Sequence, residues 1–302
     1  MARITERLAL AVLLLGVVSV HAADDTAGYT QEIAKARAER VDRLRRPDGY
    51  LALTASGWLE PGDNSVGSAA DNRFQVPDAP AHLGVLQLAA GGGVALRLAD
   101  THGITVDGAP AHEATVPLRT QGADGKQLPT RIGFGSSYLY VVQNGDKRGL
   151  RAKNNDATLR THFPGFDYFP VDPTWRVEAN WVPFRPQEHL RIAYVTGTEE
   201  DTPVPGKAVF QRGGVTYELR PIEEGGHLFF IFSDRTAGKL TYGGARFLYA
   251  AEPKDGKVLL DFNLAENPPC AITPHVVCPL APPENRLGVA VAAGEKKFRG
   301  GH

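Results

Sequence analysis

Methionine occurs once in this chain of 302 residues and cysteine only twice, with nine histidines. Two cysteines exclude a four-cysteine zinc site and a multi-bridge disulfide scaffold, leaving room for one bridge at most. Charge of either sign is not in excess. Thirty-three Lys and Arg against thirty-four Asp and Glu give a net charge of −1, so no basic field calls for nucleic acid or an anionic membrane surface. The chain has no GxSxG elbow, Walker loop, HExxH pair or Rossmann glycine pattern. No cofactor and no metal is expected on those grounds. Beyond the first two dozen residues no apolar stretch is long enough to cross a bilayer.

What is abundant is punctuation. Thirty-three glycines and twenty-two prolines favour many short strands and turns over long helices. The first residues follow another logic. Arg3 and Arg7 precede an apolar run from Leu8 to Val20, and Val20-His21-Ala22 supplies small residues at cleavage spacing. This pattern predicts a signal peptide over residues 1–22 and a periplasmic or secreted protein beginning at Ala23. No cysteine follows the run, so a lipoprotein is not expected.

Residues 23–48 are read as an N-terminal helix. In "YTQEIAKARAERVDRLRR" (Tyr29 to Arg46), Ile33, Ala34, Ala38, Val41 and Leu44 mark the inward side. Pro47 and Gly49 stop it. From residue 49 to 155 short runs such as "HLGVLQLA", "GVALRLA" and "SSYLYVVQ" alternate between turns, predicting an antiparallel β-sandwich. Gly91-Gly92-Gly93 and Asp107-Gly108 are hairpin-type turns. Residues 156–302 form a second β unit, a meander or barrel-like sheet. Its strand "WRVEANWVPF" puts Trp175, Val177, Ala179 and Trp181 on one face. "GLRAKNNDATLRTHFPG", rich in Arg and Asn, joins the two units.

The segment "NPPCAITPHVVCPLAPPEN" (267 to 285) reads as a proline-stiffened clasp. An oxidising compartment favours a disulfide between Cys270 and Cys278, worth about 2–3 kcal/mol for so short a loop. Free thiols, or a metal site completed by His275, are the other readings. Around the clasp stand Arg246, Asp261, Asn263, Glu284, Asn285 and Arg286. Arg could act as an anion fork and Asp as an acceptor for a polar ligand. Alternatively, these groups satisfy the backbone of an irregular loop. His162, beside Phe163-Pro164-Gly165, is the histidine singled out for acid–base chemistry.

Several stretches together resemble a bacterial and archaeal family, domain of unknown function 1684. They are "SGWLEPGDNSVGS", "GLRAKN", "FPGFDYFPVDPTWRVEA", "FFIFSDRTAG", "YGGARFLYA", "LDFNLAENPPCA" and "CPLAPPENRLGVAVAAGEK". The positions that resemble the family's shared ones include Arg246, Asp261, Asn263, Cys270, Cys278 and Glu284. Asn267, Pro268, Pro269, Pro279, Asn285 and Arg286 complete the set, while Glu266 stands where an aromatic is more usual. The resemblance implies no established activity. Residues 50 to 150 are also similar in rhythm to a forkhead-associated domain. Ser68, Ala79 and Asp107 replace the Arg, Ser and Asn that such a domain turns toward phosphothreonine, so its site is not carried over.

The sequence therefore predicts an exported, mostly β protein: a sandwich, then a meander or barrel-like unit, with one short helix. Its expected role is binding of a polar small molecule or cell-envelope component near the clasp. The alternative is a hydrolase using Asp261 and Glu284 as a carboxylate pair. Neither nucleic acid nor a membrane span after signal removal is expected.

Overall fold

A computed structural model of the chain describes the backbone of residues 7–121 and 127–300 and the side chains of 26–121 and 127–300. The signal peptide expected over residues 1–22 lies outside the residues whose side chains are described. Among the described residues no helix is long and apolar enough to cross a membrane. The chain divides into two compact units, and each is built on β-sheet.

One unit comprises Asp42–Gly165 together with Ile272–Val277 from the tip of the clasp. Its larger sheet runs Leu53–Trp58, Lys147–Asn154, Ser137–Asn144, Ile132–Phe134, Ile104–Val106 and Ala109–Pro110, with Thr120–Gln121 parallel to Ser137–Asn144. The smaller runs Phe74–Gln75, Gly62–Gly67, Gly84–Leu88, Val94–Leu98 and Thr115–Leu118. Alternate residues of both sheets share one core. Ala55, Leu139, Val141, Leu150 and Ala152 come from the first, and Val66, Leu86, Leu96 and Val116 from the second. This is the expected sandwich, since period-two alternation gives each sheet one apolar face that only the other can cover. Asp107 and Gly108 both take positive φ at the turn between Ile104–Val106 and Ala109–Pro110, as a two-residue hairpin requires.

The other unit holds the helix up to Val41, then Phe166–Ala271 and Cys278–Arg299. Arg176–Ala193, Glu199–Arg212 and Val215–Leu219 form a meander, with Lys257–Asp261 added beside the first strand. A second meander consists of Ile222–Glu224, His227–Phe232 and Arg246–Ala250. Val177, Ala179 and Trp181 join the core with Trp175, Phe210, Phe230, Phe232 and Phe262, as the alternation in "WRVEANWVPF" predicts.

The helix spans Arg7–Arg45 and stops before Pro47 as expected. Its buried side matches the predicted one in part. Ile33 and Leu44 are buried and Val41 is half-buried as expected, but Ala34 and Ala38 are exposed, while Tyr29 is buried and Arg37 and Arg40 are half-buried. The arginines turn inward because the surface they meet is polar and acidic.

Candidate functional site

The residues predicted around the clasp are placed on separate structural networks. Arg246 is 1 % exposed and enters on the strand Arg246–Ala250. Its guanidinium donates to Asp234 Oδ2 at 2.6 Å and to the carbonyls of Ala293 at 2.6 Å and Val291 at 2.9 Å. Burial lowers its proton affinity, opposed by the Asp234 charge. It is a fork, as predicted, but its anion is internal.

Asp261 caps the turn Phe262–Leu264 by accepting from the Asn263 amide at 3.1 Å, and it accepts from the Tyr29 hydroxyl at 2.8 Å. Asn263, 1 % exposed, donates to Tyr29 Oη and the Asp172 carbonyl at 2.9 Å each, and accepts from the Asp172 amide at 3.0 Å. Asn285, fully buried, pegs two segments: it accepts from the Arg220 amide at 2.8 Å and donates to the carbonyls of Arg220 and Ile231. Glu284 and Arg286 on either side of it are exposed. Arg286 Nε donates to the Ala281 carbonyl at 3.2 Å. His162 is exposed beside the Thr161 hydroxyl at 2.9 Å. The groups that satisfy backbone outnumber those that face solvent, as the structural reading of this cluster requires.

The expected disulfide is not formed. Cys270 and Cys278 are free, buried thiols. The turn at Pro269–Ala271 points the Cys270 amide at Cys278 Sγ, 3.2 Å away, and Cys270 Sγ lies 3.8 Å from the Tyr242 hydroxyl. The sulfurs serve as hydrogen-bond partners, and the interaction with the Cys270 thiol, followed by burial, pushes Cys278 up. Unfolding the protein without reductant should release two titratable thiols per chain; none would show that the pair is bridged. Among the described residues no group of three His, Cys, Asp or Glu side chains could hold a metal.

The most extensive polar network was not visible in the sequence. Arg40 donates through Nε to Glu295 at 2.5 Å, pairs through Nη1 with Glu266 at 2.9 Å, and reaches the Asn267 carbonyl at 2.8 Å. Its guanidinium lies 5.2 Å from the centre of the Phe166 ring. Burial opposes its charge, but Glu295 and Glu266 outweigh burial and raise its proton affinity. Glu295, 1 % exposed, also accepts from the Asn267 amide at 2.7 Å. Gly294 makes this delivery possible. It has φ +79, and a Cβ there would collide with the carbonyl oxygens of Ala265 and Phe262. Arg37 stacks 4.1 Å over Tyr168, whose hydroxyl is pushed up to about 12 by burial and by Glu295.

None of these groups lines either of two surface cavities in the sandwich unit. The smaller, about 600 Å³, is bounded by Arg119, Arg131, Asp107 and Tyr138. Its charges are spent locally: Arg119 pairs with Asp107 at 2.6 Å and Arg131 stacks on Tyr138. The larger, about 690 Å³, opens where five chain segments meet: residues 51–54, the 77–78 turn, the 134–136 turn, residues 154–159, and Thr273-Pro274-His275 of the clasp.

That larger cavity has a built polar wall. Asp78 sits at φ +63, a conformation rare for a residue with a side chain. Its carboxylate accepts from Asn154 Nδ2 at 2.6 Å. Asn154 is 8 % exposed, and its Oδ1 accepts from the Ser136 hydroxyl at 2.9 Å and the Asp156 amide at 2.7 Å. His275 is positioned through its carbonyl, which accepts from the Ser56 hydroxyl at 2.8 Å. Leu51, Leu53 and Phe134, all buried, add apolar lining. The sequence signals for this place were the Asn- and Asp-rich turn "KNNDAT", which lies in the predicted junction, and His275 in the clasp. Asp78 and Ser136 carried none.

Fold and cavity together define a mostly β protein of two sheet-built units, one of them a sandwich with a polar cleft. Within it, residues 161–296 match the model of the family described as "Protein of unknown function (DUF1684)"; the strands of the sandwich precede that match. No curated protein matches the chain. Among solved structures, an uncharacterized protein of Haloarcula marismortui, determined by solution NMR, is 32 % identical. The match covers 45 % of this chain and 78 % of that one, with a TM-score of 0.38. Rad53 residues 1–466 in complex with AMP-PNP matches at 10 % identity over 75 % of this chain and 51 % of that one, with a TM-score of 0.18.

Proposed function

We propose that the protein is an exported, non-catalytic binding module that holds a polar small molecule or a fragment of the cell envelope in the 690 Å³ cavity. Export rests on the signal pattern of residues 1–22. Binding rests chiefly on Asp78, a carboxylate kept in a strained backbone conformation by a buried asparagine at the mouth of a cleft. Strain of this kind concentrates at ligand clamps, where surrounding structure holds it in place. The cavity falls in the size range of ligand pockets and combines apolar lining with a few fixed polar groups. The clasp contributes through its tip, Thr273 to His275, while at its ends Asp261 and Arg286 hydrogen-bond within the fold. No observation favours a carboxylate-pair hydrolase: Asp261 is committed to Tyr29 and Asn263, and Glu284 is exposed on a one-turn helix.

The test is a thermal-shift screen of sugars, amines, small anions and cell-wall fragments on the intact protein and on Asp78→Ala. A ligand at 100 times its Kd stabilises by about 2.7 kcal/mol, and each kcal/mol moves the midpoint of a chain this size by roughly 2–4 °C. A shift of about 5 °C or more is expected for the intact protein and little for Asp78→Ala. Equal shifts in both would remove the cavity as the site.

A further inference from the structure

The charges that face the cavity select its ligand. Asp78 and Asp156 flank the same buried side chain: Asn154 holds one by its carboxylate and the other by its backbone amide. No lysine or arginine lines the space. The basic residues nearest in sequence are turned to other duties. Lys153 donates to the Asp48 carbonyl and lies over the Tyr140 ring, because its neighbour Asn154 takes the opposite face of the strand. Arg160 donates to the carbonyls of Arg45 and Asn155. An anion entering here would meet two carboxylates and no compensating cation.

The remaining lining completes the pattern. Thr54, Ser136 and Thr158 offer hydroxyls, and His275 adds an imidazole. Ser136 and Thr54 already donate to Asn154 Oδ1 and the Ala152 carbonyl, so their oxygens are left to accept, which suits a ligand carrying hydroxyls of its own. Leu51, Leu53 and Phe134 are buried apolar lining, the kind of surface that suits the apolar face of a ring.

We infer that the cavity takes a hydroxylated amine of the amino-sugar class, its ammonium held by Asp78 and Asp156 and its hydroxyls by Ser136, Thr54 and Thr158. This rests on the cavity being the binding site. Charge-assisted hydrogen bonds between ammonium and carboxylate are about twice as strong as neutral ones, so the charge of the ligand carries the discrimination. Asn154 is a positioning residue: it fixes where the Asp78 carboxylate lies.

Three probes of equal length separate the outcomes: a glucosamine trisaccharide, its N-acetylated counterpart, and an oligouronate trisaccharide. Each is titrated calorimetrically into the full chain and into Asp78→Asn. That variant keeps an oxygen for the Asn154 bond and a residue type that tolerates positive φ, so its fold and melting temperature should be unchanged. The glucosamine trisaccharide is expected to bind at least tenfold tighter than the N-acetylated one, the uronate not measurably, and Asp78→Asn to lose at least tenfold for glucosamine. Comparable binding of the N-acetylated or anionic probe, sensitive to Asp78→Asn, would overturn the ligand class and leave the cavity as a site. Binding that ignores Asp78→Asn, or no binding by any probe, would overturn both.

Discussion

Replacing Arg246 by alanine is expected to destabilise the protein by about 3–5 kcal/mol, the usual loss when one partner of a buried ion pair is removed. That is a large share of the roughly 5–15 kcal/mol that holds a domain folded. Both side chains of the Arg246–Asp234 pair are 1 % exposed, so water cannot replace the guanidinium. Three acceptors lose their donor together: Asp234 and the carbonyls of Val291 and Ala293. Arg246→Lys should recover only part of the loss, since an ammonium lacks the planar fork that spans them. Urea titration checks this. The midpoint should fall at constant m-value, and a change below 1 kcal/mol for Arg246→Ala would show that the network carries little of the stability. Because Asp234 also accepts from the amides of Thr236 and Val291, substituting it as well should not restore the protein.

Arg40→Ala should have an effect of similar size, about 3–5 kcal/mol, and a local signature. It leaves Glu295 and Glu266 facing each other without their shared cation and strips the Asn267 carbonyl of its donor. The helix contacts of Tyr29 with Asp261 and of Arg37 with Tyr168 remain, so the first consequence is a loosened helix. Hydrogen exchange should show the amides from Tyr29 to Val41 opening well below the global unfolding free energy. Unchanged protection across that helix would mean that Arg40 does not dock it.

The helix also shows how much the sequence could tell. Its stop before Pro47 follows from a local rule, because proline acts within a few residues; its start does not, since the helix begins at Arg7 and not at residue 23. Its orientation followed only in part: Ile33 and Leu44 face inward as the periodicity predicts, but Ala34 and Ala38 are exposed and Arg40 is half-buried, because periodicity alone sends every charge outward. The partners that reverse this, Glu266, Asn267 and Glu295, lie more than two hundred residues along the chain. The clasp repeats the lesson. Arg246, Asp261, Asn263 and Asn285 were legible as a polar set that must find partners, and the partners proved to be backbone and buried side chains. The cysteine pair was legible as a pair, yet the turn at Pro269–Ala271 uses the sulfurs as hydrogen-bond partners.

By itself the sequence determined the β class, the sandwich and the meander, the turns, and a resemblance to the family, read over nearly the whole mature chain and matched by the family model over residues 161–296. Those depend on side-chain alternation and turn chemistry, which are local and repeat at every strand. Only the tertiary structure decided which carboxylates are committed to the fold and which face a cavity. Asp261 and Asp78 are alike as residues. One is enclosed by Tyr29 and Asn263, the other is held at the mouth of a cleft by Asn154, and that difference arises from packing segments distant in sequence.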